Sequence, residues 1–327
     1  MKAVLIHRHA DGATLALGDV PEPELGHGQV RVSVRAVSVN YADQFVPQGG
    51  YGKPPADGAA WVAGLDAAGE VTEVGAGVTG VRVGDRVMAM VPSSLAEQVV
   101  TDARFTVPVP PDWSDEEGAA AIVGLLTECS ALTAADGLRA GENVVVTGAT
   151  SGMGLQGVQL ARHLGAGRII AVARSDRADD VLHRLGADLV LHSAGPGFAD
   201  RVLDATGGSG ADVAVDHVGG SYFPDLVAAA AIKGRIVNVG RAAGAVATAD
   251  LEAFSLKQLT LRGVTFRTRA PAELAELYQQ VRDLDLTTLR PVVDRVVPWQ
   301  QTEAAQGSLS TGTVVGKVVI RVTAGNQ

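Results

Sequence analysis

Two hydrophobic rhythms divide this chain. Val4–Ile6 and QVRVSVRAVSVN (Gln29–Asn40) carry a period of two with β-branched side chains, the pattern of half-buried strands. GEVTEVGAGVTGVRVGDRVMAM (Gly69–Met90) reads as short valine-rich strands cut by glycines. The prolines of PVPPDWSDEEGAAA end this extended part, and Ser114 with Glu117 three residues on forms a helix capping box. From there strands and helices alternate: NVVVTG, then GLQGVQLARHLGA; RIIAVARS, then ADDVLHRLGA; DLVLHS, then GFADRVLDATGG; ADVAVDHVGG, then SYFPDLVAAAAIKG, a helix broken early by Pro224; and GRIVNVG. Strands apolar throughout and separated by helices predict a parallel sheet covered on both faces. PAELAELYQQVRDLDL (Pro271–Leu286) predicts one more helix, with proline first and Glu273 in its first turn. PVVDRVVPW and VVGKVVIRV return to strand alternation and are expected to rejoin the first part.

The expected fold class is therefore α/β. Residues 1–118 with 267–327 make a β-rich domain, and residues 119–266 a doubly wound parallel sheet of Rossmann type. A length of 327 residues agrees with two domains. The net charge of −9 offers no basic footprint for nucleic acid. A single cysteine, Cys129, excludes an intrachain disulfide and a four-thiolate zinc lobe, and fits a reducing compartment. Its apolar surroundings predict a core position. The first residues are too short an apolar run for a secretory signal, and no stretch approaches the ~20 apolar residues of a membrane helix, so a cytoplasmic protein is expected.

The chemistry gathers around VVVTGATSGMG (Val144–Gly154). Gly148, Gly152 and Gly154 stand between a strand and a helix. Glycine lets the backbone approach a pyrophosphate there, and the helix N-terminus supplies N–H groups and the positive end of a dipole. Ala149, Ser151 and Met153 complete the loop, and the Ser151 hydroxyl is a further phosphate candidate. The next strand ends at AVARSDR. An NAD site places Asp or Glu at such a turn; here Arg174, Ser175 and Arg177 suit a 2′-phosphate, which favours NADP, unless the arginines are only solvated surface charges.

The letters TGATSGMG resemble the opening loop of short-chain dehydrogenases. That family needs Tyr with Lys four residues on, and Phe45, Pro55, Leu226 and Arg282 follow the four tyrosines instead. The layout as a whole resembles the medium-chain dehydrogenase/reductase superfamily. The resemblance rests on VSVNYADQFVPQGGY, GLDAAGEVTEVGAGVTGVRVGDRV, TGATSGMGLQGVQLAR, GADVAVDHVGG, KGRIVNVG, LTLRGVTFRTR and GKVVIRV, over nearly the whole chain. It implies a GroES-like catalytic domain and a Rossmann NADP-binding domain. Zinc members carry a Gly-His-Glu that here reads Gly64-Leu65-Asp66, and the seven histidines form no ligand spacing, so no metal is expected.

The branch implied is zinc-independent, similar to zeta-crystallin-like quinone oxidoreductases: an enzyme passing a hydride from NADPH to a quinone or an α,β-unsaturated carbonyl. An enoyl-thioester reductase of fatty-acid or polyketide type, and a non-catalytic crystallin-like NADPH-binding protein, stay open as alternatives. By resemblance Tyr51 and Asn40 are catalytic. Tyr51 would serve as hydrogen-bond or proton donor to an enolate, or else pack on Pro54 and Pro55. Asn40, Thr127, Val218, Gly219, Val239, Gly240 and Lys317 join the cofactor contacts. Asp43 and Asp66 are assigned structural roles. Ser193 stands where relatives have a tyrosine that covers the adenine. A small-molecule substrate, no membrane, and a homodimer through the edge near QLTLRGV (Gln258–Val264) complete the expectation.

Overall fold

The computed structural model describes residues 1–9, 12–48, 59–134, 136–193 and 195–322. The chain opens with β1 (Lys2–His9), β2 (Gly12–Asp19), β3 (Gln29–Ser38), β4 (Trp61–Val62), β5 (Ala67–Val74), β6 (Arg86–Ala89), β7 (Gln98–Asp102) and β8 (Val107–Pro108). Helix α1 (Asp115–Leu132) follows. Its start is the expected box: the Ser114 N–H donates to Glu117 Oε2 at 2.8 Å, and the Glu117 N–H donates to Ser114 Oγ at 3.2 Å. Next come β9 (Asn143–Thr147), α2 (Gly152–His163), β10 (Arg168–Ala173), α3 (Asp179–Arg184), β11 (Leu189–His192), α4 (Phe198–Ala205), β12 (Ala211–Asp216), α5 (Phe223–Ala229), β13 (Ala230–Asn238), α6 (Leu251–Leu256) and β14 (Thr260–Gly263). The tail holds α7 (Pro271–Arg282), β15 (Val293–Pro298), α8 (Thr302–Ser308) and β16 (Lys317–Arg321).

The residues fall into two compact units: Met1–Val123 with Ala270–Gln327, and Gly124–Arg269. In the first, a seven-stranded sheet runs β15-β16-β3-β5-β6-β8, with β7 also pairing β3, beside a three-stranded sheet β2-β1-β4. The alternation of β3 puts Val30, Val32 and Val34 into the core, where Val71, Val87, Val318 and Ile320 meet them. The tail therefore returns to this unit through β16, antiparallel to β3, with Ile320 opposite Val37.

In the second unit six parallel strands are ordered β11-β10-β9-β12-β13-β14. Val144, Val145 and Val146 of β9 are fully buried, because helices cover both faces. The order reverses between β9 and β12, the switch point beyond whose carboxyl ends such sheets bind ligands. Two local expectations change. Pro224 does not break a helix; it stands in the first turn of α5, where no intrahelical N–H is needed. The helix stops at Ala229, and β13 begins at Ala230, earlier than the expected strand at GRIVNVG, because the alanines pair with β12 through a register shift.

Candidate functional site

The glycine turn leaves β9 at Gly148, whose φ of +58° is cheap only without a side chain. The Ala149 N–H donates to the Val172 carbonyl at 3.0 Å, which pins the turn to β10. Ser151 is the N-cap of α2, and its Oγ accepts from the Gly154 N–H at 3.0 Å. The hydroxyl oxygen expected at a phosphate thus also accepts the helix-capping bond. At Gly154 a Cβ would stand 2.4 Å from Gly148 O and 2.6 Å from Ala149 Cα, both backbone atoms, so the turn closes this tightly only with glycine. Gly152 and Met153 occupy the first helical turn. Arg174, Ser175 and Arg177 are exposed on the turn after the neighbouring β10. Ser193 takes a φ of +89°, and Arg201 Nη2 donates to its carbonyl at 3.4 Å beside an open groove bordered by Leu191 and Pro196.

The turns after β12 and β13 are tied to each other. The Val239 and Gly240 N–H groups donate to the Asp216 carbonyl at 2.8 and 3.0 Å. Asp216 Oδ1 accepts from the Val218 and Gly219 N–H groups, both at 3.0 Å, and from Thr147 Oγ1 at 2.8 Å. One buried carboxylate oxygen therefore joins the ends of β9 and β12 at the switch point. Thr127, on α1 in the same unit, is buried. Sequence reasoning misses Asp216 and its neighbour His217. The available signal is an Asp-His pair closing the strand ADVAVD, with a carboxylate, Glu128, inside the apolar stretch AAAIVGLLTECSAL of α1.

In the first unit, Asn40, Lys317, Asp66, Ser38 and Asp43 form a buried cluster. The Asn40 N–H donates to Asp43 Oδ2 at 2.7 Å and the Asp43 N–H to the Asn40 carbonyl at 3.0 Å, which fixes the turn after β3. Asn40 Nδ2 donates to Asp66 Oδ2 at 2.7 Å, and the Lys317 ammonium donates to Asn40 Oδ1 at 2.6 Å and Ser38 Oγ at 2.9 Å. Asp66 also accepts from the Ser38 N–H and hydroxyl, each at 2.6 Å. Lys317, expected at the cofactor, is 4% exposed, with its ammonium held inside this network. Burial pushes the Asp43 carboxyl up to about 7, against the Asn40 N–H; among the described residues its Oδ1 has no partner. Burial also raises Asp66 against the pull of Lys317, and lowers Lys317 against the pull of Asp66 and Asp43. Tyr51 lies outside the described residues.

Both Asp66 oxygens are taken by Ser38 and Asn40, and Cys129 is buried beside Thr133. Among the described residues no group of three or more His, Cys, Asp and Glu side chains could hold a metal. Among them too, no helix is long and apolar enough to cross a membrane.

Two family descriptions match the chain: "Alcohol dehydrogenase GroES-like domain" over residues 26–111, and "Zinc-binding dehydrogenase" over residues 152–283. Among curated proteins, a component of the phenolphthiocerol/phthiocerol polyketide synthase of Mycobacterium tuberculosis is 33% identical over 90% of this chain. The chain spans only 14% of that relative's length. A mycobacterial protein, Rv1454c, solved as a complex with NADPH, superposes with a TM-score of 0.86 at 28% identity, over 98% of this chain and 100% of the other. A structure described as a mycobacterial quinone oxidoreductase superposes with a TM-score of 0.84 at 28% identity, over 98% and 99%.

Proposed function

The chain belongs to the medium-chain dehydrogenase/reductase superfamily, and from that premise we propose that it is an NADPH-dependent reductase that passes a hydride to a quinone or an α,β-unsaturated carbonyl without a metal. The observation that carries this reading is one edge of the parallel sheet. β9 and β10 pair in register, Val146 with Ala171 and Thr147 with Val172, so the turns beginning at Gly148 and Arg174 leave the same edge side by side. The first suits a pyrophosphate. The second offers two guanidinium groups and a hydroxyl to a 2′-phosphate, where a carboxylate would favour the bare ribose.

When bound, the nucleotide supplies the hydride. Gly148, Ala149, Gly152, Met153 and Gly154 hold its pyrophosphate, and Arg174, Ser175 and Arg177 its 2′-phosphate. Thr127, Val218, Gly219, Val239 and Gly240 serve the nicotinamide end. Negative charge develops on the substrate oxygen as hydride arrives, and Tyr51 is the proposed donor to that oxygen. Asn40 and Lys317 act by holding the turn after β3, since their polar atoms are engaged with Asp66 and Ser38. The likeness to a polyketide synthase component supports a second reading, an enoyl-thioester as substrate.

A steady-state panel with NADPH against 9,10-phenanthrenequinone, a 2-alkenal and an enoyl-CoA separates these. Turnover of either of the first two supports the main reading. Turnover of the enoyl-CoA alone favours the second, and tight NADPH binding with no turnover overturns both. Arg174→Ala is expected to weaken NADPH by roughly 10-fold or more while leaving NADH unchanged, as one charge-assisted phosphate contact is worth ~1.5–3 kcal/mol. Equal effects on both nucleotides would remove the 2′-phosphate argument. Tyr51→Phe is expected to lower kcat more than it raises KM.

A further inference from the structure

Beneath the glycine turn lies a buried pair that the reaction above does not use. Glu128 near the end of α1 and His217 just after β12 meet at 2.7 Å, Oε1 to Nε2, with side chains 0% and 6% exposed. The other ring nitrogen, Nδ1, is 2.7 Å from the Thr147 carbonyl, and the His217 N–H donates to Thr147 Oγ1 at 2.9 Å. Thr147 is the last residue of β9, and Gly148, the first of the turn, follows it directly. Room for the carboxylate comes from α2, where a Cβ on Gly157 would stand 2.7 Å from Glu128 Oε2.

The proton inventory of this pair is settled by its partners. A carbonyl oxygen cannot donate, so Nδ1 carries a proton and gives it to Thr147. The contact between Nε2 and Oε1 then holds one proton, as imidazolium with carboxylate or as imidazole with carboxylic acid, and both states are neutral overall. A second proton would leave a buried cation. Loss of the proton would set a carboxylate against a ring lone pair. Either change costs far more inside the protein than in water. The charged groups facing the ring are Glu128 from α1 and Asp216 from its own strand; β9 offers the Thr147 carbonyl. Burial pulls the ring down, and Glu128 outweighs it, so His217 titrates above an ordinary histidine.

We propose that Glu128 and His217 are positioning residues, a buried one-proton clamp that holds Thr147 and thereby the glycine turn, and keeps nucleotide affinity independent of pH through the range in which an ordinary histidine changes charge. The nucleotide half of this inference rests on the NADPH reading above. Nothing in the clamp touches the reacting atoms. It acts through the backbone of Thr147.

The clamp is tested first in the nucleotide-free protein by ¹⁵N-resolved NMR of the histidine rings from pH 5.5 to 9. His217 is expected to keep a protonated Nδ1 throughout and show no midpoint in that window, while the exposed His192 serves as internal control. A His217 midpoint inside the window overturns the clamp. NADPH dissociation constants are then measured by fluorescence. Each variant is expressed as a ratio to wild type, which cancels the nucleotide's own phosphate titration.

His217→Gln leaves Glu128 without its proton partner and Thr147 without the ring that holds it, so the ratio is expected to rise at least ~5-fold and to vary between pH 6 and 8.5. The double variant Glu128→Gln/His217→Gln is expected to show a ratio flat with pH. A folded His217→Gln with a ratio below about 2 and no pH dependence overturns the proposal. Should that variant not fold, Glu128→Gln decides. An amide can donate to Nε2 and preserve a neutral clamp, so affinity within ~3-fold of wild type at every pH supports the proposal and a ~10-fold loss overturns it. Failure of the wild type to bind NADPH fails the nucleotide reading, whereas a titrating His217 ring fails the clamp.

Discussion

In the first unit one lysine, Lys317, serves two buried aspartates. In the second, Glu128 faces one histidine across a single proton. Fully ionised, the first cluster carries one negative charge too many; burial pushes the Asp43 carboxyl up to about 7, and among the described residues its Oδ1 finds no partner. The second pair is neutral in both of its arrangements. The turn after β3 is held by a network that gains a proton near neutrality. The glycine turn after β9 is held by one that does not exchange protons in that range.

The largest effect is expected from removing Lys317, the cation of this cluster among the described residues. Lys317→Met leaves Asp43 and Asp66 buried together with no countercharge, and frees Asn40 Oδ1 and Ser38 Oγ of their donor. A loss of ~3–5 kcal/mol is expected in urea unfolding, the scale for breaking a buried ion pair from one side. A loss below about 1 kcal/mol would mean that the cluster is solvated and that Lys317 does not neutralise it.

The two clusters also differ in how far the sequence reveals them. The glycine turn is local: Val144–Gly154 is continuous, and both the strand before it and the helix after it follow from the hydrophobic period. The Arg174 turn follows the same logic, one strand further on. The cluster around Asn40 is not local. Ser38, Asp66 and Lys317 are brought together only because β3 pairs with β5 on one side and β16 on the other. Period-two alternation predicts that each is a strand, and says nothing of which strand lies beside which. A charge in the tail strand suggests that Lys317 could reach cofactor phosphate or an anionic substrate; its ammonium is engaged by Asn40 and Ser38. The Glu128–His217 pair shows the same limit across a helix and a strand, and α5 shows a smaller one: Pro224 reads as a breaker until its place in the first turn is known.

The second largest effect belongs to the glycine turn. In Gly154→Ala the new methyl meets Gly148 O and Ala149 Cα at 2.4 and 2.6 Å, and backbone cannot rotate away. A destabilisation of about 2–3 kcal/mol is expected, in the range of overpacking, with loss of the rise in Tm that NADPH gives the wild type. A retained NADPH shift would move the nucleotide away from this turn.

The third sharpens the protonation contrast. Asp43 has its carboxyl near 3.8 when unfolded and about 7 when folded, so the folded chain holds this proton more tightly. Stability from it is complete below pH 4, falls as pH rises, and is lost above about 7. Asparagine at 43 does not titrate and keeps an acceptor for the Asn40 N–H. The unfolding free energy of Asp43→Asn relative to wild type is thus expected to improve by about 2 kcal/mol between pH 5 and pH 8. A difference constant with pH would show that Asp43 stays ionised. The Glu128–His217 pair contributes with the same sign, since His217 is raised above its unfolded 6.5 and its stability contribution falls as pH rises past that value, but this part is common to wild type and Asp43→Asn and cancels in the difference.

The smallest effect decides what Ser151 is for. Its hydroxyl is a phosphate candidate by position, but its oxygen accepts from the Gly154 N–H, and the residue has the extended φ and ψ of −73° and 160° of an N-cap. A cap and a phosphate ligand predict different things for Ser151→Ala. If the hydroxyl is a cap, stability falls by ~1 kcal/mol, Ser151→Gly costs only a few tenths, and NADPH affinity stays within about twofold, since the Gly154 N–H released by the loss of Oγ becomes available to the nucleotide. If it is a ligand, affinity falls ~10-fold in both variants. The geometry favours the cap. On that reading the turn binds its nucleotide through backbone donors, and the side chain at 151 sets how firmly the first turn of α2 is held before the nucleotide arrives.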